Sequence, residues 1–169
     1  GVTEPDDLVA EWTLRSDGDA IRAHPRVSPV RTADGTPAAL KVGASEHEHL
    51  VLRRWNGDGA VDCCGQTRAG DLLLERLRPE SLVGLHDADA CEIVAGLHRR
   101  LHVPAMPQLP SLSSLLELWA DEFAALPRNA PVPHRLVEQA ITLCRDLAAA
   151  PADVVLHGDL HDAHVLAAD

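Results

Sequence analysis

Apolar and polar positions change their period near residue 77. Before it, apolar residues come in short runs separated by turn signals. These predict strands at about Trp12 to Arg15, Val27 to Arg31 and Pro37 to Val42, with Asp34-Gly35 as the hairpin signal before the run that carries Lys41. Ser45, with Glu48 three residues on, reads as a capping box. The helix it opens runs to about Trp55 and ends in Asn56-Gly57-Asp58-Gly59. Ala60 to Cys64 and Asp71 to Leu77 predict two more strands around a polar turn. After Arg78-Pro79 the spacing is helical: Ala90, Ile93, Val94, Leu97 and Leu101 recur between about Asp87 and His102. A proline-rich loop from Val103 to Pro110 follows. Ser111 then caps a helix to about Leu126, with Leu112, Leu115, Leu116, Trp119 and Phe123 on its apolar side. A third helix runs from about Pro133 to Ala149, and Val154 to Leu156 predicts a last short strand.

A strand-rich half followed by a helix-rich half is an α+β pattern. It predicts two lobes, residues 1–77 and residues 78–169. Aromatic residues are only 2% of the chain, so the core is expected to be built from Leu, Val, Ala and Ile. The net charge of −11 is spread along the chain and no basic stripe occurs, which argues against nucleic acid or an anionic membrane surface as partner. Such a surface suits a cationic small molecule. Cys63, Cys64, Cys91 and Cys144 form no C-x-x-C, so neither a zinc knuckle nor a disulfide framework is indicated. No apolar run approaches the ~18 residues of a membrane span, and Gly1 to Asp7 is unlike a secretory signal. A cytoplasmic protein is expected.

The run Val154-Val155-Leu156 leads into His157-Gly158-Asp159-Leu160-His161, a short apolar stretch that breaks at glycine and presents a carboxylate. A kinase-type catalytic loop holds in this way the aspartate that accepts a hydroxyl proton during phosphoryl transfer. Far upstream stands Lys41, the single lysine of the chain. Arginine serves at every other strongly basic position, so this strand end asks for a compact ammonium rather than a planar fork.

Four stretches extend the pattern: Asp34-Gly35-Thr36-Pro37, Leu52-Arg53-Arg54-Trp55-Asn56-Gly57-Asp58-Gly59-Ala60-Val61, Leu72-Leu73-Leu74-Glu75-Arg76-Leu77 and His157-Gly158-Asp159-Leu160-His161. In them the chain resembles the kinase-like phosphotransferases that inactivate antibiotics, and within these the streptomycin 6-phosphotransferase and hydroxyurea phosphotransferase group. The likeness runs in order from about Trp12 to Leu166. It implies a bilobal protein-kinase-like fold with a β-rich nucleotide-binding lobe and a mostly helical second lobe. It also implies ATP and Mg²⁺ as cofactors, and as acceptor a hydroxylated small molecule such as streptomycin or hydroxyurea. Lys41 would then hold the α- and β-phosphates, and a helix glutamate, Glu48 in preference to Glu46, would fix the lysine. Glu75, Arg76 and Leu77 would form a hinge whose backbone reads adenine. Asp159 would take the proton of the acceptor hydroxyl, with His157 packed behind the loop.

Three departures accompany the resemblance. The family places a Mg²⁺-binding asparagine five residues after the catalytic aspartate, and His164 stands there. It becomes the metal candidate, although Mg²⁺ prefers hard oxygen ligands. The chain stops at Asp169, ahead of the strand expected to carry a second metal-binding aspartate, so it reads as part of a longer enzyme. The segment from Asp17 to Ser28 should cover phosphate, yet holds only Gly18, with Arg22, Arg26 and Ser28 as further candidates. Two rival readings follow. One is a catalytically inactive kinase-like nucleotide- or ligand-binding protein. The other is a metal hydrolase using the alternating His157, Asp159 and His161 with His164 nearby.

Overall fold

The computed structural model describes residues 12–18, 26–67, 69–150 and 153–168. The chain forms two compact units, residues 1–103 with 156–169, and residues 104–155. In the first, β1 (Arg15–Ser16), β2 (Arg26–Arg31), β3 (Pro37–Val42), β4 (Cys63–Gln66) and β5 (Leu72–Glu75) form one antiparallel sheet in the order β1-β2-β3-β5-β4. Helix α1 (Glu48–Trp55) links β3 to β4, and α2 (Asp87–Leu101) follows the sheet. The fold class is α+β, with α3 (Leu112–Ala124) and α4 (His134–Ala148) in the second unit.

Alternation along β2 and β3 builds the sheet's core. Val30, Ala38 and Leu40 point to one side and pack with Leu14, flanked by Trp12, Val42 and Leu73. Leu40 and Leu72 are each only 1% exposed. Burial of such a side chain contributes about 1.5–3 kcal/mol. Pro29 sits inside β2 opposite Ala39. Its carbonyl accepts from Asp17 N–H, so its missing donor faces β1, which pairs over two residues only. That is the side on which a strand tolerates proline.

Helix α1 docks on the end of α2 through the Trp55-Asn56-Gly57-Asp58-Gly59 stretch. Buried Trp55 donates its indole N–H to the Leu101 carbonyl at 2.9 Å, satisfying a last-turn group of α2. Asn56 ends α1 in the left-handed conformation, with its N–H on Leu52 O. Gly59 follows at φ +84°, where a Cβ would come within 3.2 Å of Arg100 Cβ. Backbone strain and the lost approach combine there. Gly59→Ala should therefore lower stability by about 1–3 kcal/mol, read as a lower urea midpoint, and an unchanged midpoint would remove this account of the motif.

In the second unit, Leu116, Ala120 and Cys144 form the buried line between α3 and α4, with Leu112, Ile141 and Ala148 beside it. The Ser111 hydroxyl caps α3 by accepting from Ser114 N–H at 3.1 Å. Leu115, Trp119 and Phe123 stay exposed, because the Leu112–Leu116–Ala120 line takes the contact with α4. Among the described residues, no helix is long and apolar enough to cross a membrane.

Three expected elements are corrected. The turn at Trp12 and Thr13 precedes β1, which starts only at Arg15. The strand at Val154 to Leu156 is a single bridge from Val154 to Pro104, a partner that lacks the N–H needed to extend a ladder. The capping box does not form either: α1 starts at Glu48 with His47 ahead of it and no side-chain cap.

Candidate active site

Lys41 lies in β3 between Val27 of β2 and Leu72 of β5, with sheet on both sides. Its ammonium meets the Glu48 carboxylate in the first turn of α1, Nζ to Oε1 2.5 Å. The two side chains are 20% and 23% exposed. The Glu48 carboxylate is thus spent on a full cation rather than on the backbone N–H that a capping box would give it, while its own N–H donates to the Ser45 main-chain oxygen. Glu46 is exposed and outside the helix.

The connection between the two partners is held by a residue that sequence reasoning passed over. Asp71, 4% exposed, accepts from Gly43 N–H at 3.0 Å and lies 3.3 Å from Thr67 Oγ1. Its own N–H donates to Thr67 Oγ1 at 3.0 Å. The carboxylate thus ties the end of β3 to the start of β5. Asp71→Ala leaves the Gly43 donor without its partner and should cost about 1–3 kcal/mol. It should also loosen the Lys41–Glu48 connection, which faster amide exchange at Gly43 would report. Wild-type exchange there would contradict this role.

Of the expected hinge residues, Glu75 ends β5, and Arg76 and Leu77 follow it. Glu75 N–H donates to Asp62 O at 2.9 Å, and Glu75 Oε2 accepts from Asp62 N–H at 3.1 Å. The Arg76 side chain crosses the sheet: Nε donates to Ala38 O at 3.0 Å, one terminal nitrogen to Asp17 at 2.5 Å and the other to Val30 O. This guanidinium, aided by Arg31, holds the Asp17 carboxyl below the usual carboxylate range against partial desolvation. The side chain of Arg76 therefore clamps β2 and β3 to Asp17, just after β1. Leu77 is half-buried and lies beyond the strand.

The loop from His157 to His164 lies in the same compact unit. Gly158 turns it at φ +80°, a backbone region open to glycine at little cost. His157 Nδ1 accepts from Asp159 N–H at 3.3 Å, and its ring stacks on Trp55 with centroids 6.1 Å apart and planes 13° apart. Desolvation lowers the His157 pKa below the usual histidine range, while the Asp159 and Glu48 carboxylates pull the other way. A neutral ring suits its role as acceptor at Nδ1. Trp55 thus joins α1, the end of α2 and the loop, a part its sequence stretch did not reveal.

The far side of the loop is anchored by the segment after the expected hinge. Leu82 N–H donates to Asp162 O and Val165 O, Ala167 N–H to Glu80 O and Arg78 N–H to Ala167 O. Asp159 is left with its carboxylate exposed, 3.3 Å from His164 Nδ1. The same His164 nitrogen lies 3.1 Å from the Asp159 main-chain oxygen. His161 is adjacent, its ring centroid 3.6 Å from that of His164. One possible ligand atom from each of Asp159, His161 and His164 lies within 4.8 Å of the others. Mg²⁺ is a poor fit here, since two of the three donors are imidazole nitrogens. His157 stands outside this cluster, so the alternating triplet weighed from the sequence is not what the fold assembles.

Of the remaining candidates, Arg26 and Ser28 lie in β2, and Arg22 lies outside the described residues. A shallow concavity along α4, lined by Arg135, Glu138, Gln139, Thr142, Leu143 and Asp146, contains none of the site residues.

The geometry can be set beside known proteins. The chain is 36% identical over 173 residues to a streptomycin 6-kinase of Streptomyces griseus, which covers 95% of this chain and 56% of that protein. It is 36% identical over 180 residues to a hydroxyurea phosphotransferase of Kitasatospora aureofaciens, covering 96% and 52%. A streptomycin 3''-kinase of Klebsiella pneumoniae is 36% identical over 165 residues, covering 92% and 59%. The chain thus spans about half the length of the curated relatives it matches. No solved structure gives a significant match. The profile of the aminoglycoside/hydroxyurea antibiotic resistance kinases matches residues 11–169. The chain belongs to the aminoglycoside/hydroxyurea antibiotic resistance kinase family.

Proposed function

We propose that the protein transfers the γ-phosphoryl group of ATP to a hydroxyl of a small antibiotic-like molecule. The observation that carries this reading is the Lys41–Glu48 ion pair, formed between a central strand and the first turn of the following helix. Kinases use such a pair to fix the lysine that cradles nucleotide phosphates. Lys41 holds the α- and β-phosphates, and the backbone of Glu75, Arg76 and Leu77 reads the adenine edge. Asp159 orients the acceptor hydroxyl and takes its proton. In this reading residues 1–77 belong to the nucleotide-binding lobe of a bilobal kinase-like fold, and the residues from 78 onward to its helical lobe.

The acceptor class follows from the relatives, which are named for streptomycin and hydroxyurea. The acidic balance of −11 supports a cationic acceptor over an anionic one. ATP as donor places the reaction in the cytoplasm. Mg²⁺ supplies charge neutralisation when bound with the nucleotide, and phosphate oxygens and water suit it better than His164 does.

An ADP-release assay with streptomycin, other aminoglycosides and hydroxyurea as acceptors tests the reading. ADP formation that depends on one of these acceptors is expected. Nucleotide binding with no acceptor-dependent ADP release across the panel would contradict it, and would favour the inactive, binding-only protein.

A further inference from the structure

The catalytic-type loop carries a donor set whose chemistry differs from the one its position calls for. Asp159, His161 and His164 project one carboxylate and two imidazoles from a single turn, with one donor atom of each within 4.8 Å of the others. Their side chains are 74%, 47% and 48% exposed, so small rotations can close the set around an ion without disturbing the core. The His164 ring is held through Nδ1, which lies 3.1 Å from the Asp159 carbonyl oxygen and 3.3 Å from the Asp159 carboxylate. His161 Nδ1 stands 3.6 Å from Asp162 Oδ1, an ion-pair rather than a hydrogen-bond distance. A ring held at Nδ1 by an oxygen keeps the Nε2 lone pair for a metal, the usual outer-shell arrangement of histidine ligands. Two imidazoles and one carboxylate match a borderline cation, with a fourth position open to water, and not the all-oxygen octahedron of Mg²⁺.

We propose that Asp159, His161 and His164 form a site for a borderline divalent cation of the zinc class. A short 3-10 turn, Asp162–His164, places the two histidines. The carboxylate such an ion engages is the one proposed above as the proton acceptor. Occupancy would therefore suppress phosphoryl transfer. That consequence rests on the proposed function, whereas ion binding itself does not.

Calorimetric titration of the purified protein with zinc chloride, without nucleotide or acceptor, tests the site. One equivalent of zinc should bind, and excess magnesium chloride should not displace it. His164→Asn and His161→Ala should each weaken binding by at least about 10–100-fold, the loss that altering even an outer-shell partner of a metal ligand brings. These side chains are exposed, so a circular dichroism melt should match wild type and separate lost binding from lost folding. Zinc affinity unchanged in both variants would overturn the proposal. So would zinc binding lost only in His98→Ala, which would place the ion on the His98–His102 pair of α2, whose facing nitrogens are 3.2 Å apart. Because the readout is binding, absence of phosphotransfer in the wild-type protein leaves this result intact.

Discussion

Asp159→Asn is expected to lower kcat for phosphoryl transfer by about 10²–10⁴-fold, the usual share of a positioned general base. The substitution keeps side-chain shape and removes only proton-accepting capacity. The loop should survive it, because its geometry rests on other groups. The Asp159 N–H donates to His157 Nδ1, and the 162–167 stretch is pinned by Arg78, Glu80 and Leu82. The Kd for ATP, by titration calorimetry, should therefore stay near wild type while single-turnover transfer collapses. Transfer at the wild-type rate would remove Asp159 from the chemistry.

Lys41→Ala is the second large effect. The ammonium meets Glu48 at 2.5 Å in a half-buried setting, so its loss acts twice. Phosphate charge goes unneutralised, which lowers kcat/KM for ATP by about 10²–10³-fold, as removal of a transition-state charge partner does elsewhere. Glu48 also loses its counter-ion, and stability should fall by about 1 kcal/mol, since residual exposure screens the pair. Lys41→Arg should not restore activity, because a planar fork replaces a compact charge. Glu48→Gln should lower kcat/KM in the same direction but less, since the amide oxygen still accepts from Lys41. An unchanged kcat/KM for ATP in Lys41→Ala would contradict the role.

The residues that the sequence made legible are those whose chemistry is tied to their immediate neighbours. Lys41 ends an apolar run, and Asp159 follows a glycine after another, so local signals place one on a strand and the other at a turn, while the roles expected of them come from the resemblance. The α+β pattern, the order of the sheet-forming runs and the three later helices are legible for the same reason. Glu48 was harder: it and Glu46 lie close together, and only the folded chain brings one of them onto Lys41. In the fold that carboxylate goes to Lys41 rather than to the expected capping box.

What stayed hidden acts across long separations. Asp71 reaches Gly43 over 28 residues, and Trp55 reaches Leu101 over 46. Neither residue type at either position carries a local mark of such a task. The anchoring of the 162–167 stretch by Arg78, Glu80 and Leu82 is hidden for the same reason. Arg76 shows a related limit. Its place after β5 is where the resemblance expects a hinge, but its side chain is committed to Asp17 just after β1 and to Val30 and Ala38 on β2 and β3. The Val154 strand failed because its partner is a proline, which no inspection of the Val154–Leu156 run could show.

Phosphorus NMR of the protein incubated with ATP and the best acceptor from the ADP-release panel tests the central claim most directly. The predicted spectrum shows ADP growing together with an equal amount of a phosphomonoester of the acceptor. ADP accompanied only by inorganic phosphate, or ATP left unchanged, would contradict transfer to a small-molecule hydroxyl at the Lys41–Asp159 site.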